Sequence, residues 1–461
     1  MFAAQHFARR LASPLVKSTN TTMVAHRFTT FSRSTLKSNG FAGYFGNKFG
    51  FTNQLAGRFR NSSLFMNLAR RKCASSSAAA LEQNMPSSHL VKVGWEKFVG
   101  CWLVASAGMV FSMICIGGYT RLTGSGLSMV DWNFQGKGLP RNDEEWAVEF
   151  DKYKNYPEYK FMHGRTMDLE EFKNIYFIEW FHRMWGRSIG LLVAIPGLAL
   201  AAKGALKPAL CARLSGLFVL GASQGFIGWW MVRSGLEEPA TKDRPVTVSP
   251  YRLTTHLAMA LGLYGGVLWT AMNILRPYDL ITATTTVAKN TRFLKKAALP
   301  GLIVSMITVL SGGFVAGNQA GFAYNTWPKM LDDWVPPEVI TTYSNLRENY
   351  KDLFMSTPVV QFDHRILAYA TVLSSWAVFG LARSLELTPA CRKAAALVAI
   401  MPMCQAALGI TTLLMFVPTD LGTLHQAGGI MVLSAYLLLF HTLRGPAGAA
   451  ALAKTAAKMV K

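Results

Sequence analysis

From about residue 95 onward the chain alternates long apolar runs with polar connections. Eight runs stand out, at 98–118, 176–202, 214–232, 253–275, 297–317, 366–382, 394–417 and 421–443. Runs of this kind cross a hydrocarbon layer about 30 Å thick as helices. Open strands are excluded, because in lipid they leave backbone N–H and C=O groups without partners. The pattern predicts an all-α polytopic membrane protein with eight transmembrane helices.

The connections separate by charge. Lys203, Lys207, Arg213, Arg276, Arg292, Lys295, Arg383 and Arg392 fall in connections on one side. The opposite connections, 119–175 and 318–365, are long, mixed in charge and rich in Asp and Glu. The positive-inside tendency puts the Lys/Arg side, and the N-terminus with it, on the inner side.

Composition supports the membrane reading: 51% of the 461 residues are hydrophobic and 16% charged, against about a quarter charged in soluble domains. The net charge of +22 would suggest nucleic acid if it covered a folded face, but much of it lies elsewhere. Residues 1–81 contain no Asp or Glu, while Arg9, Arg10, Lys17, Arg27, Arg58 and Arg70 are scattered among Ser, Thr, Phe and Ala. Such an acid-free segment reads as a mitochondrial transit peptide over 1–80. The inner side is then the matrix, the acidic loops face the intermembrane space, and lipid, not nucleic acid, is the surrounding partner. The six cysteines form no CxxC or CxxCH, which argues against a zinc site, a c-type haem attachment and an iron–sulfur cluster.

The chain also repeats. Gly117-Gly118-Tyr119 corresponds to Gly312-Gly313-Phe314 at an offset of 195, which also matches Gly126 to Gly321 and Trp132 to Trp327. Gln224 and Gly228 match Gln405 and Gly409. Four helices per half is an even number, so the halves share one orientation. The expected architecture is two four-helix bundles, at 95–276 and 294–444, joined by a linker at 277–293 and followed by a tail at 445–461.

Four of the nine histidines, His182, His256, His364 and His425, lie near the outer start of the even-numbered runs, two per half. Ionisable residues inside a membrane mark function by default. Two imidazoles from facing helices can clamp a haem iron from both sides, whereas zinc or copper would require further ligands in each half. The expected pairs are His182 with His256 and His364 with His425.

Glu179 stands three residues before His182, on the same helical face, and its counterpart before His364 is Gln361. A carboxylate in one half and an amide in the other suggests that one site reacts and the other passes electrons; a helix-start acid is the alternative. Arg183, Arg187 and Arg365 suit either haem propionates or interfacial anchoring.

The run Gly117-Gly118-Tyr119-Thr120-Arg121-Leu122-Thr123-Gly124-Ser125-Gly126-Leu127-Ser128, with Glu179-Trp180-Phe181-His182-Arg183, Asn325-Thr326-Trp327-Pro328 and Gln361-Phe362-Asp363-His364-Arg365, closely resembles haem A synthase of the mitochondrial type, over roughly residues 95–444. The resemblance implies an oxidoreductase of the mitochondrial inner membrane that converts a methyl group of haem O to the formyl group of haem A for cytochrome c oxidase. It implies haem O as substrate on His182 and His256, haem b as cofactor on His364 and His425, and Glu179 as acid/base or electrostatic partner. Haem O synthase, ferredoxin with its reductase, and cytochrome c oxidase assembly factors are the implied partners; whether the chain forms a homo-oligomer stays open. The competing readings are a two-haem b-type cytochrome that only relays electrons and a non-enzymatic haem carrier or oxidase assembly factor.

Overall fold

Eight helices among the described residues are long and apolar enough to cross a membrane. They are the first span Glu96–Leu122, second Leu169–Ala202, third Pro208–Leu236, fourth Pro250–Leu275, fifth Thr285–Gly317, sixth Thr357–Ser384, seventh Pro389–Leu414 and eighth Thr419–Thr442. This computed structural model describes residues 90–444 apart from 134, 164–165, 238–245 and 277–284. The presequence expected at 1–80 and the tail at 445–461 lie outside the described residues. Among the described residues, β pairing is limited to two isolated bridges. The protein is an all-α polytopic membrane protein.

The helix starts are written locally. Pro208, Pro250 and Pro389 open their spans, where proline loses no hydrogen bond and its φ suits the first turn. Asp168 caps the second span by accepting from the Glu171 N–H at 2.8 Å. The apolar pattern misses the ends of several spans. The second begins at Leu169, because a polar first turn is capped but not apolar. The fifth begins at Thr285, so 285–293 is helix where the sequence suggested linker. The seventh ends at Leu414, short of the expected Val417, because Phe416 and Val417 take φ of 60° and 54°. The helical region is disfavoured immediately before Pro418, and the chain turns back within four residues.

The first four spans pack as a closed ring: first on second, second on third, third on fourth, fourth on first. Spans five to eight close a second ring in the same order. The rings meet along the first, fourth, fifth and eighth spans. Leu103, Val110, Ile114, Leu261, Ile274, Ile430 and Leu433 are buried in one core that includes this seam. Lipid inverts the usual distribution on the outside: Leu191, Ile195 and Leu198 are 62–72% exposed, a surface that hydrocarbon solvates without cost.

The connection between the first and second spans carries a small domain of its own. A helix at Asp143–Lys154 and a π-helical turn at Glu158–Met162 pack aromatic rings onto the start of the second span, with Phe150 and Phe172 stacked at 4.9 Å. Tyr153, Phe172 and Tyr176 are almost fully buried there.

Candidate functional site

The even spans deliver the histidines and the odd spans leave room for them. A Cβ added at Gly117 would stand 3.1 Å from Nε2 of His182, and one at Gly312 would stand 3.3 Å from Cε1 of His364. Gly228 and Gly409 stand in the same relation to His256, at 3.5 Å, and His425, at 2.6 Å. Each histidine therefore has a glycine from a neighbouring odd span beside its ring; a side chain would crowd the ring at Gly117, Gly312 and Gly409, while at Gly228 a Cβ would make ordinary contact.

The rings of His364 and His425 have centres 6.3 Å apart and planes at 81°. Two in-line metal–imidazole bonds of about 2 Å plus two ring radii of about 1 Å require a separation of roughly 6 Å. This pair thus fits a metal clamped from both sides. No group of three or more His, Cys, Asp or Glu among the described residues could hold a bare metal ion, so the donor set suits an iron that brings its own equatorial ligands. His182 and His256 are carried by the second and fourth spans of the first ring.

The residues just before the sixth- and second-span histidines fasten loops. Oε2 of Glu179 accepts from the Ser128 hydroxyl at 2.7 Å and the Met129 N–H at 2.8 Å, while Oε1 accepts from Arg183 at 2.6 Å. Gln361 makes the mirror arrangement: its Nε2 donates to the carbonyls of Ala320, at 2.7 Å, and Ala323, and its Oε1 accepts from Arg365 at 3.1 Å. Both side chains are buried, with residues 2% and 3% exposed. The Glu/Gln difference, which the sequence suggested as a mark of reactivity, matches the polarity of the loop each side chain faces. One loop offers donors and needs a carboxylate; the other offers carbonyls and needs an amide N–H.

The arginines are likewise engaged with loop backbone. Arg183 donates to the carbonyls of Met129 at 2.7 Å and Asp131 at 3.0 Å, and Arg187 to Asn133 at 2.6 Å. Arg365 donates to Tyr324 at 2.8 Å and Lys329 at 3.2 Å. Trp180 completes the first strap through a 2.7 Å bond to the Lys137 carbonyl. Beyond the two roles open from the sequence, these guanidiniums hold the loops after the first and fifth spans against the histidine-bearing helices.

The family model of the cytochrome oxidase assembly protein, COX15-CtaA, matches residues 100–437. The chain belongs to that family. It is 47% identical over 351 residues to heme A synthase COX15 of Arabidopsis thaliana, covering 76% of each chain. It is 41% identical to heme A synthase COX15 of Saccharomyces cerevisiae, again covering 76% of each. To heme A synthase of Nitrosospira multiformis it is 40% identical, over 78% of this chain and 97% of the relative.

Sequence reasoning missed several groups around the sites of this COX15-CtaA protein. Ser311 lies 2.7 Å from Nδ1 of His364, and the Gln405 amide lies 3.0 Å from Nδ1 of His425. The repeat carried a signal for Gln405, which pairs with Gln224, but none for Ser311, whose counterpart is Ile116. Glu158 gave no sequence signal. It sits buried in the small domain between the first and second spans, where the Tyr153 hydroxyl donates to it at 3.0 Å. Burial, more than the nearby Glu179 charge, pushes its carboxyl up to about 8, against the pull of the Tyr153 bond and Arg121.

A carboxyl raised from 4.5 to about 8 on folding leaves the folded state binding more protons, so it costs stability progressively as pH rises through that window. Glu158→Gln is therefore expected to flatten the pH dependence of unfolding of this small domain between pH 5 and 8 (about the window set by those two values), read by tryptophan fluorescence. A variant with the parent slope would show that Glu158 is ionised on folding.

Proposed function

We infer that this chain is a haem A synthase of a mitochondrial membrane, oxidising a methyl group of haem O to the formyl group of haem A. The carrying observation is the His364–His425 clamp in a COX15-CtaA family chain, with the second histidine pair built against equivalent glycines. Haem O is placed as substrate on His182 and His256, and haem b as resident cofactor on His364 and His425. The two rings of helices are read as a tandem repeat, 95–276 and 294–444, with one haem site each. The inner membrane is what the family resemblance implies, and the N-terminus is assigned to the matrix by the distribution of Lys and Arg.

Methyl to formyl is a four-electron oxidation: with O2 as the oxygen source, R–CH3 + 2 O2 + 4 H+ + 4 e− gives R–CHO + 3 H2O and draws four electrons from a donor, whereas with water R–CH3 + H2O gives R–CHO + 4 H+ + 4 e− and an acceptor must take the four electrons. Haem b, when bound, supplies one-electron transfer at the C-terminal site. His182 and His256 would hold the substrate by its iron and so fix where in the N-terminal bundle the macrocycle lies. Glu179 places a buried negative charge one turn from His182 and fixes Ser128 and Met129 over the helix start. Taking a proton on Oε2 would turn an acceptor of two donors into a donor facing them, so its role is electrostatic and positional. Ferredoxin and its reductase on the matrix side are the proposed electron partners, with haem O synthase supplying the substrate and oxidase assembly factors receiving the product.

Pigment extraction from the purified protein tests this reading. Haem B together with haem O or haem A is expected; haem B alone, at both sites, would make the chain an electron relay.

A further inference from the structure

The two histidine pairs differ in what holds their Nδ1 atoms. At the C-terminal pair both are engaged: His364 by the Ser311 hydroxyl and His425 by the Gln405 amide, whose Nε2 also donates to the His425 carbonyl at 2.7 Å. An imidazole that binds iron through Nε2 carries its proton on Nδ1 and needs an acceptor there. Ser311 offers one directly. The Oε1 of Gln405, buried and without a partner, becomes one when the amide turns.

At the N-terminal pair the corresponding supports are missing or idle. Ser311 is replaced by Ile116 at the repeat offset of 195. Gln224, the counterpart of Gln405, is present, but both of its amide atoms are buried without a partner. Nδ1 of His256 is buried without a partner as well.

We propose that Ser311 and Gln405 are positioning residues that make the C-terminal site retain its haem, and that Ile116 and the unlatched Gln224 make the N-terminal site an exchange site. This deepens the function proposed above and rests on its assignment of one haem to each pair. Hydrogen bonds to Nδ1 fix ring orientation and raise ligand basicity, and losing one typically costs 10–100-fold in affinity. A substrate that must enter, be oxidised and leave is served by the weaker hold; a resident electron carrier is served by the stronger.

The test is haem transfer from detergent-purified full-length protein to excess apomyoglobin, followed in the Soret band. One site is read at a time by using His182→Ala or His364→Ala backgrounds, and haem type is identified separately by extraction. The N-terminal haem is expected to leave at least tenfold faster than the C-terminal one (the lower end of the outer-shell effect). Ser311→Ala should speed C-terminal loss about 10–100-fold and change the low-spin electron paramagnetic resonance signal. Ser311→Thr, which keeps the hydroxyl, should restore both. Ile116→Ser should slow loss from the N-terminal site.

Equal loss rates at the two sites, or a Ser311→Ala protein with the parent rate and signal, would overturn the proposal. If Ile116→Ser does not fold, the Ser311 pair of variants decides alone. Haem B at both sites would refute the synthase reading while leaving the rate comparison valid, so the two failures are distinguishable.

Discussion

His364→Ala and His425→Ala are each expected to empty the C-terminal site of haem b, whereas His182→Ala and His256→Ala are expected to leave haem b in place and abolish haem A formation. The expectation follows from the separation of the pairs into two closed helix rings, with the His364 and His425 rings 6.3 Å apart. Removing one of two axial ligands should exceed the roughly 10–100-fold cost of losing an outer-shell hydrogen bond. The measurement is the haem-to-protein ratio and extracted haem type for each purified variant. The two-site arrangement falls if all four substitutions deplete the same haem.

Glu179→Gln should loosen the first outer loop. Its carboxylate accepts from three donors in a nearly solvent-free position, and an amide of the same shape turns one acceptor into a donor facing Arg183 or the loop N–H. An unsatisfied buried donor costs about 1–3 kcal/mol. Gln361→Glu should be equally unfavourable for the opposite reason, because it brings carboxylate oxygens against the carbonyls of Ala320 and Ala323. Hydrogen exchange over 128–137 in the first variant and 320–329 in the second reads the loss directly. In Glu179→Gln, haem A yield is expected to fall in step with loop opening. A fall of roughly 10²–10⁴, the range for lost acid–base catalysis, with the loop still protected would instead make Glu179 the proton-transfer group.

The sequence by itself determined the membrane class, the eight spans and the four histidines near the starts of the even-numbered spans. These depend on local properties: apolar length against bilayer thickness, and the position of a residue along one helix. Gly117, Gly228, Gly312 and Gly409 were legible as repeated positions but not as neighbours of the histidines, because that relation joins spans far apart in the chain. The polar support of the sites was decided only by tertiary structure. Glu179 and Gln361 differ because Ser128 and Met129 present donors where Ala320 and Ala323 present carbonyls. Loop backbone polarity at a distant contact has no local sequence signature. The same holds for Ser311 and Gln405 beside their imidazoles: a hydrogen bond requires two groups about 3 Å apart, and only the packing of one helix on another sets that distance.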